Sequence, residues 1–144
     1  NKKQSVKSNI ETAKKAKQHL LNNGALIVFP SGSVSTAKSI KSEAKDDAWK
    51  SFPAKLIQQT KTNILPIYFD GKNGLLFHIF ASKLNSQTRK YSSYIHETRK
   101  KIGKEIIIYS GNILMYNKVS HIEDRNVLTD YLKDLTYNLK NING

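Results

Sequence analysis

Apolar positions fall into two periods along this chain. Over residues 5–22, Val6, Ile10, Ala13 and Leu20 or Leu21 recur at roughly helical spacing, with the charged Lys17 falling in the same register, and Asn23-Gly24 follows as a natural stop. The spacing predicts a helix there, with Lys7, Lys14, Lys15 and Lys17 supplying a solvated cationic face. The period then changes. Leu26-Ile27-Val28-Phe29 is an uninterrupted apolar run, the pattern of a strand buried on both faces, as in a parallel sheet. Pro30 cannot donate to a ladder and ends it. Ser31, Gly32, Ser33 and Ser35 place hydroxyls and backbone amides in the turn that follows. At the carboxyl edge of an open α/β sheet such a turn suits a phosphate or a polar head group; read alone, it is an ordinary Ser/Gly turn.

Residues 36–47 are polar and read as a loop closed by Asp46-Asp47; two adjacent carboxylates could bind a cation, but with no other ligands they are expected to cap the next helix. Pro53 fits a first helical turn, and Trp49, Phe52, Leu56 and Ile57 lie on one face of that helix. It frays near Thr60-Lys61-Thr62-Asn63, and Ile64-Leu65-Pro66-Ile67-Tyr68-Phe69 forms a second strand-like run. Pro66 there implies an edge, a bulge or a strand that starts after it. Asp70-Gly71-Lys72-Asn73-Gly74 is the second polar turn. Right-handed crossovers would set the two turns side by side, at the carboxyl ends of neighbouring parallel strands.

Leu75 to Leu84 is apolar and partly aromatic, a core segment or a short helix facing an acyl chain or membrane; His78 within it is read as structural. Residues 86–101 have the period of an amphipathic helix. Tyr91, Tyr94, Ile95, Thr98 and Ile102 make its stripe, with Arg89, Lys90, Arg99, Lys100 and Lys101 elsewhere on it. After Gly103, Glu105-Ile106-Ile107-Ile108-Tyr109 is a third buried strand, Ser110-Gly111-Asn112 its turn, and 113–116 a segment that can pair again. Glu123-Asp124 open a last helix with the charge sign its N-terminus favours, and Leu128, Tyr131, Leu132, Leu135, Leu139 and Ile142 form its stripe. The sum is one α/β domain over residues 1–144: a partial mixed or mostly parallel sheet flanked by helices.

Composition changes this picture in three ways. A hydrophobic content of 38% supplies a core, so global disorder is excluded. There is no cysteine, hence neither a disulfide framework nor a thiolate metal site, and His78 has no second metal-type ligand at suitable spacing. No apolar run approaches the roughly 18–20 residues that cross a bilayer. The formal net charge of +13 calls for an anionic partner, with nucleic acid, an anionic membrane surface and acidic or phosphate-bearing substrates as the candidates. A generally lysine-rich composition is the plainer account of the same charge.

Two motifs in order carry a resemblance. Phe29-Pro30-x-Gly32-x-x-Ser35, then Ile64-Leu65-Pro66-Ile67-Tyr68-Phe69-Asp70-Gly71-Lys72-Asn73, resemble the glycerolipid acyltransferase superfamily. Asp47-x-Trp49 between them and Gly-Lys-Asn-Gly-Leu-Leu-Phe after them look most like its hemolysin-like branch, which includes ornithine-lipid acyltransferases. The likeness spans Leu20 to about Ile113. It implies transfer of a fatty acyl group from an acyl-carrier-protein or coenzyme A thioester to a lipid-precursor amine or hydroxyl, with no resident cofactor. It also implies a cytoplasmic protein, peripheral on the inner face of an anionic membrane, with nucleic acid disfavoured.

The substrate-binding positions it implies are Phe29, Pro30, Ser31, Gly32, Ser33, Ser35, Lys38, Pro66, Asp70, Gly71, Lys72 and Asn73. Lys38 and Lys72 are charge partners for phosphate or carboxylate; read alone, Gly32 and Gly71 serve tight turns. The chain departs from the superfamily in having Ser31 and Val34 where Glu and Arg are usual. It also lacks the catalytic His-x-x-x-x-Asp motif. His19 has no carboxylate at the needed place, and His78, His96 and His121 lie downstream without the spacing. The chain opens Asn1-Lys2-Lys3 and reads as the C-terminal part of a larger acyltransferase whose dyad lies upstream. Two other readings stand beside it: a basic nucleic-acid-binding module, resting on charge and the Arg/Lys-rich stretch from Arg89 to Lys104, and a non-catalytic interaction domain that kept the fold.

Overall fold

A computed structural model describes residues 2–32, 46–70, 99 and 102–143. Their elements are helix α1 (Lys2–Leu21), helix α2 (Phe52–Thr60), strand β1 (Ile67–Asp70), strand β2 (Ile107–Ser110), a 3-10 turn (Tyr116–Lys118) and helix α3 (Arg125–Asn143). The chain is mixed α/β. The helices expected at residues 5–22, after Trp49 and after Asp124 are all present.

Each helix ends as its sequence asks. Asn23 takes the left-handed conformation (φ 61°) just past α1, and the Gly24 N–H donates to the His19 carbonyl. Asparagine tolerates that region better than most residues because its short polar side chain bonds locally. Pro53 sits in the first turn of α2, where its missing N–H costs nothing, and left-handed Lys61 closes the other end by donating to the Ile57 carbonyl. Asp124 caps α3: one carboxylate oxygen accepts the N–H groups of Asn126 and Val127 at 2.7 and 3.1 Å. The expected capping by Asp46-Asp47 is not found. Ser51 holds the cap position of α2 without a side-chain bond, and the Asp46 carboxylate accepts the Trp49 indole N–H instead.

The core is small. Ala54 and Ile57 of α2 meet Leu128 and Leu132 of α3 and Val119 beside the 3-10 turn, with Trp49, Ile64, Leu114, Tyr116 and Ile122 packed around them. Among the described residues, Leu128 and Val119 are the largest side chains removed from water altogether. A leucine so buried contributes about 1.5–3 kcal/mol, several times a surface ion pair. The stripe of α3 departs from expectation at two positions. Tyr131 and Ile142 are exposed, while Thr129 is buried and returns its hydroxyl to the Arg125 carbonyl.

The sheet differs more. β1 and β2 pair antiparallel, with Tyr68 opposite Tyr109 and Asp70 opposite Ile107, and Ile64 and Leu114 extend the pairing as an isolated antiparallel bridge. Residues 113–116 thus pair again as expected, but the described pairing is not the parallel one. The third strand is also not the buried one expected, since Ile106, Ile107 and Ile108 are all exposed: an antiparallel ribbon of two strands leaves one face and its edges open. Pro66 interrupts the ladder, so β1 begins at Ile67. Its carbonyl still accepts the Gly111 N–H at 3.0 Å. Residues 26–29 form no strand. Leu26, Ile27, Val28 and Phe29 are all exposed, so the run is not the doubly buried strand expected; its apolar composition favours a strand only where a partner strand pairs with it. α3 packs on β1, β2 and α2, and α1 on α2.

Candidate functional site

The first motif folds as a tight turn. The Gly32 N–H donates to the Phe29 carbonyl at 3.1 Å, putting Pro30 second and Gly32 fourth, the places those residues favour in a β-turn. Gly32 lies at φ 65°, a region closed to most side chains. Ser31 is buried within the turn. The Pro30 carbonyl accepts the Lys50 N–H at 2.9 Å, tying the turn to the segment that leads into α2.

The second motif ends on β1. Side chains alternate across a strand, so Tyr68 and Asp70 face α3 while Ile67 and Phe69 face away. The Asp70 carboxylate meets the Lys140 ammonium of α3 at 3.7 Å, both about one-third exposed. Tyr68 stacks on Tyr109 (centroids 6.3 Å apart) and meets the edge of Tyr137 at 5.6 Å. The Tyr137 hydroxyl accepts the Asp46 N–H at 3.0 Å. Burial, the larger influence, pushes that hydroxyl's pKa above its ordinary value, against the pull of the Asp46 N–H.

The two motifs meet through Phe29 and Phe69, whose ring centroids are 6.4 Å apart. A ring of contacts closes on the other side. It runs from Pro30 to Lys50, from neighbouring Trp49 to Asp46 at 2.8 Å, on to Tyr137, and through Tyr68 back to β1. The structure therefore brings Phe29, Pro30, Ser31 and Gly32 beside the strand that ends at Asp70. It does so without the parallel strand pair that the sequence led one to expect. Pro66 is buried at the base of β1, a packing position against Gly111. Ser33, Ser35, Lys38, Gly71, Lys72 and Asn73 lie outside the described residues, as do the segment 75–84 with His78, and His96 with nearly all of the basic helix expected over 86–101.

Sequence reasoning passed over Tyr137, Lys140 and the tethering role of Asp46. Tyr137 fell outside the leucine stripe of α3, and Lys140 reads as one more surface lysine. The signal that could have found Tyr137 is its position five residues after the buried Leu132, on the flank that α3 turns to a tyrosine-bearing strand. Chemically, the cluster offers an aromatic wall, a tight turn and a neutralised carboxylate–ammonium pair, which are means of binding and orienting. Neither described histidine sits in it: the His19 ring lies against the Ala25 carbonyl at 3.1 Å, and His121 is exposed. Among the described residues, no three His, Cys, Asp or Glu are placed to hold a metal ion, and no helix is long and apolar enough to cross a membrane. No family model matches the chain, nor does any curated protein or solved structure.

Proposed function

We propose that this chain is the substrate-binding portion of an acyltransferase, moving a fatty acyl group from a carrier-protein or coenzyme A thioester to a lipid-precursor amine or hydroxyl. The observation that carries the reading is the 6.4 Å contact of Phe29 with Phe69, which sets the first motif's turn beside the strand bearing the second. The motifs are separated by residues 36–63 in the sequence, and this contact brings them together. In this reading Pro30, Ser31 and Gly32 shape the acceptor turn, with Ser33, Ser35 and Lys38 following it. Asp70, next to Lys140, opens the second turn, Gly71 to Asn73. The His-x-x-x-x-Asp motif that takes and orients the acceptor's proton in the resembled superfamily is not among these 144 residues, so the reading gives them binding and no proton transfer. The thioester is a co-substrate, and no resident cofactor is invoked. The basic excess serves an anionic membrane surface and an acidic carrier, with the protein peripheral to the bilayer.

Titration with acyl-coenzyme A and with an acyl-carrier-protein thioester tests the reading. Saturable binding without acceptor-dependent turnover is expected, weakened several-fold in Gly32→Val, which strains the turn at its positive φ, and in Asp70→Asn. Absence of binding to either thioester overturns the reading. Tight binding to arbitrary duplex DNA, falling steeply with salt, would replace it with the nucleic-acid module.

A further inference from the structure

Two helices turn complementary chemistry outward. α1 packs on α2, and its half-buried side chains are Ala13, Ala16, Lys17 and Leu20. Lys7, Ile10, Lys14 and Leu21 are exposed, and with Lys17 they recur at the alternating three- and four-residue steps that keep side chains on one seam of a helix. Ile10 is 54% exposed and Leu21 51%. The one carboxylate of α1, Glu11, is already held by Lys15 at 3.0 Å. This seam is cationic, with apolar side chains set into it.

α3 turns Leu128, Leu132 and Leu139 inward. Its outer side carries Val127, Tyr131, Asp134, Asn138 and Asn141 at the same alternating steps, all exposed, with Asp130 and Ile142 exposed beside them. Val127 is 57% exposed. The cations of α3 are largely engaged elsewhere: Arg125 donates to Gln58 of α2, Lys140 meets Asp70 of β1, and half-buried Lys133 flanks the seam. This second seam is acidic, again with apolar side chains set into it. Laid parallel, the two seams match. Ile10 falls opposite Tyr131, Lys14 opposite Asp134 and Leu21 opposite Ile142, with Lys7 in reach of Asp130. Neither seam covers the other within one chain, since both are exposed.

We infer that α1 of one copy packs along the outer seam of α3 in a second copy. A lysine row alone is ordinarily just solvated; here the same molecule supplies carboxylates for its lysines and apolar side chains for its apolar ones. Both helices pack on α2, so each copy carries both halves, and reciprocal exchange of the two contacts closes a two-fold pair. The net charge of +13 opposes the approach of two copies. At 0.15 M salt that repulsion is largely screened beyond about 8 Å, whereas side chains in contact are screened much less. The inference stands apart from the acyltransferase reading and fails independently of it.

The experiment is sedimentation equilibrium of the whole chain at 0.15 M salt. Four proteins are compared: the wild type, Lys7→Glu with Lys14→Glu, Asp130→Lys with Asp134→Lys, and Ile27→Ser as an exposed apolar control outside both seams. Circular dichroism confirms that each is folded, and every substituted side chain is exposed. The wild type is expected to form a concentration-dependent dimer. Each charge-reversed pair should raise its dissociation constant about tenfold or more, and Ile27→Ser should leave it unchanged. An equal mixture of the two charge-reversed proteins should recover the dimer. In it the new glutamates of one face the new lysines of the other, and the second contact keeps its native charges. Protein that had merely lost structure would not recover on mixing. A wild type that stays monomeric up to about 1 mM overturns the inference. So does a dimer that either charge-reversed protein retains, one that Ile27→Ser disperses, or a mixture that stays monomeric.

Discussion

At the scale of single residues, Gly111 shows how little space the ribbon leaves. A Cβ there would come within 2.8 Å of the Pro66 ring and 3.0 Å of a Leu139 methyl. Proline cannot swing aside as a long flexible side chain can, and the Gly111 N–H is bonded to the Pro66 carbonyl. Gly111→Ala is therefore expected to destabilise the fold by about 1–3 kcal/mol, read from the midpoint of urea unfolding. Tyr137 gives a pH-dependent prediction. Its hydroxyl ionises above its ordinary value in the folded chain, so the unfolded chain releases that proton first. The stabilisation is complete below about pH 10 and is lost as pH rises through the folded value. Tyr137→Phe should flatten this alkaline decline in stability. It should also lower stability at neutral pH by about 1 kcal/mol, since the Asp46 N–H loses its acceptor. Equal alkaline slopes in the two proteins would contradict the assignment.

At the scale of elements, the three described helices were legible because each carries its own punctuation: Asn23-Gly24 after α1, Pro53 in α2, Asp124 before α3. Such signals act through local backbone groups and need no tertiary context. The strands were legible as apolar runs, but their partners were not. Residues 26–29 have the composition of a strand and none of its pairing, and β1 and β2 run antiparallel. Pairing depends on which chain segment arrives alongside, and nothing in Ile107-Ile108 specifies that. The site divides the same way. Phe29, Pro30, Gly32 and Asp70 are legible from turn chemistry and motif spacing. Tyr137 and Lys140 are not, because they arrive from the far end of the chain by the docking of α3.

At the scale of the whole molecule, the charge of +13 is opposed by few described ion pairs, Lys15 with Glu11 and Lys140 with Asp70 among them. Like charges held together in a compact state repel, and salt screens that repulsion. The melting temperature should therefore rise between about 0.01 M and 0.15 M salt, as the screening length falls from about 30 to 8 Å. Differential scanning calorimetry at the two ionic strengths checks this, and a melting temperature that falls with salt would mean that attractive pairs outweigh the excess.

The β1–β2 pairing also governs the order in which the chain can fold. Its two strands are neighbours in space but are separated by the whole of residues 71–106. The entropy of closing that loop must be met before the first ladder bond forms, whereas each helix can begin from contacts within a turn or two. The docking of α2 on α3 spans residues 61–124 and meets the same kind of cost, so both the ribbon and the core wait on loop closure while the helices can start locally. Early helix formation therefore leaves both long-range joints to be made afterwards, and exposed substitutions confined to α1 are expected to act more on the folding rate than those in the ribbon.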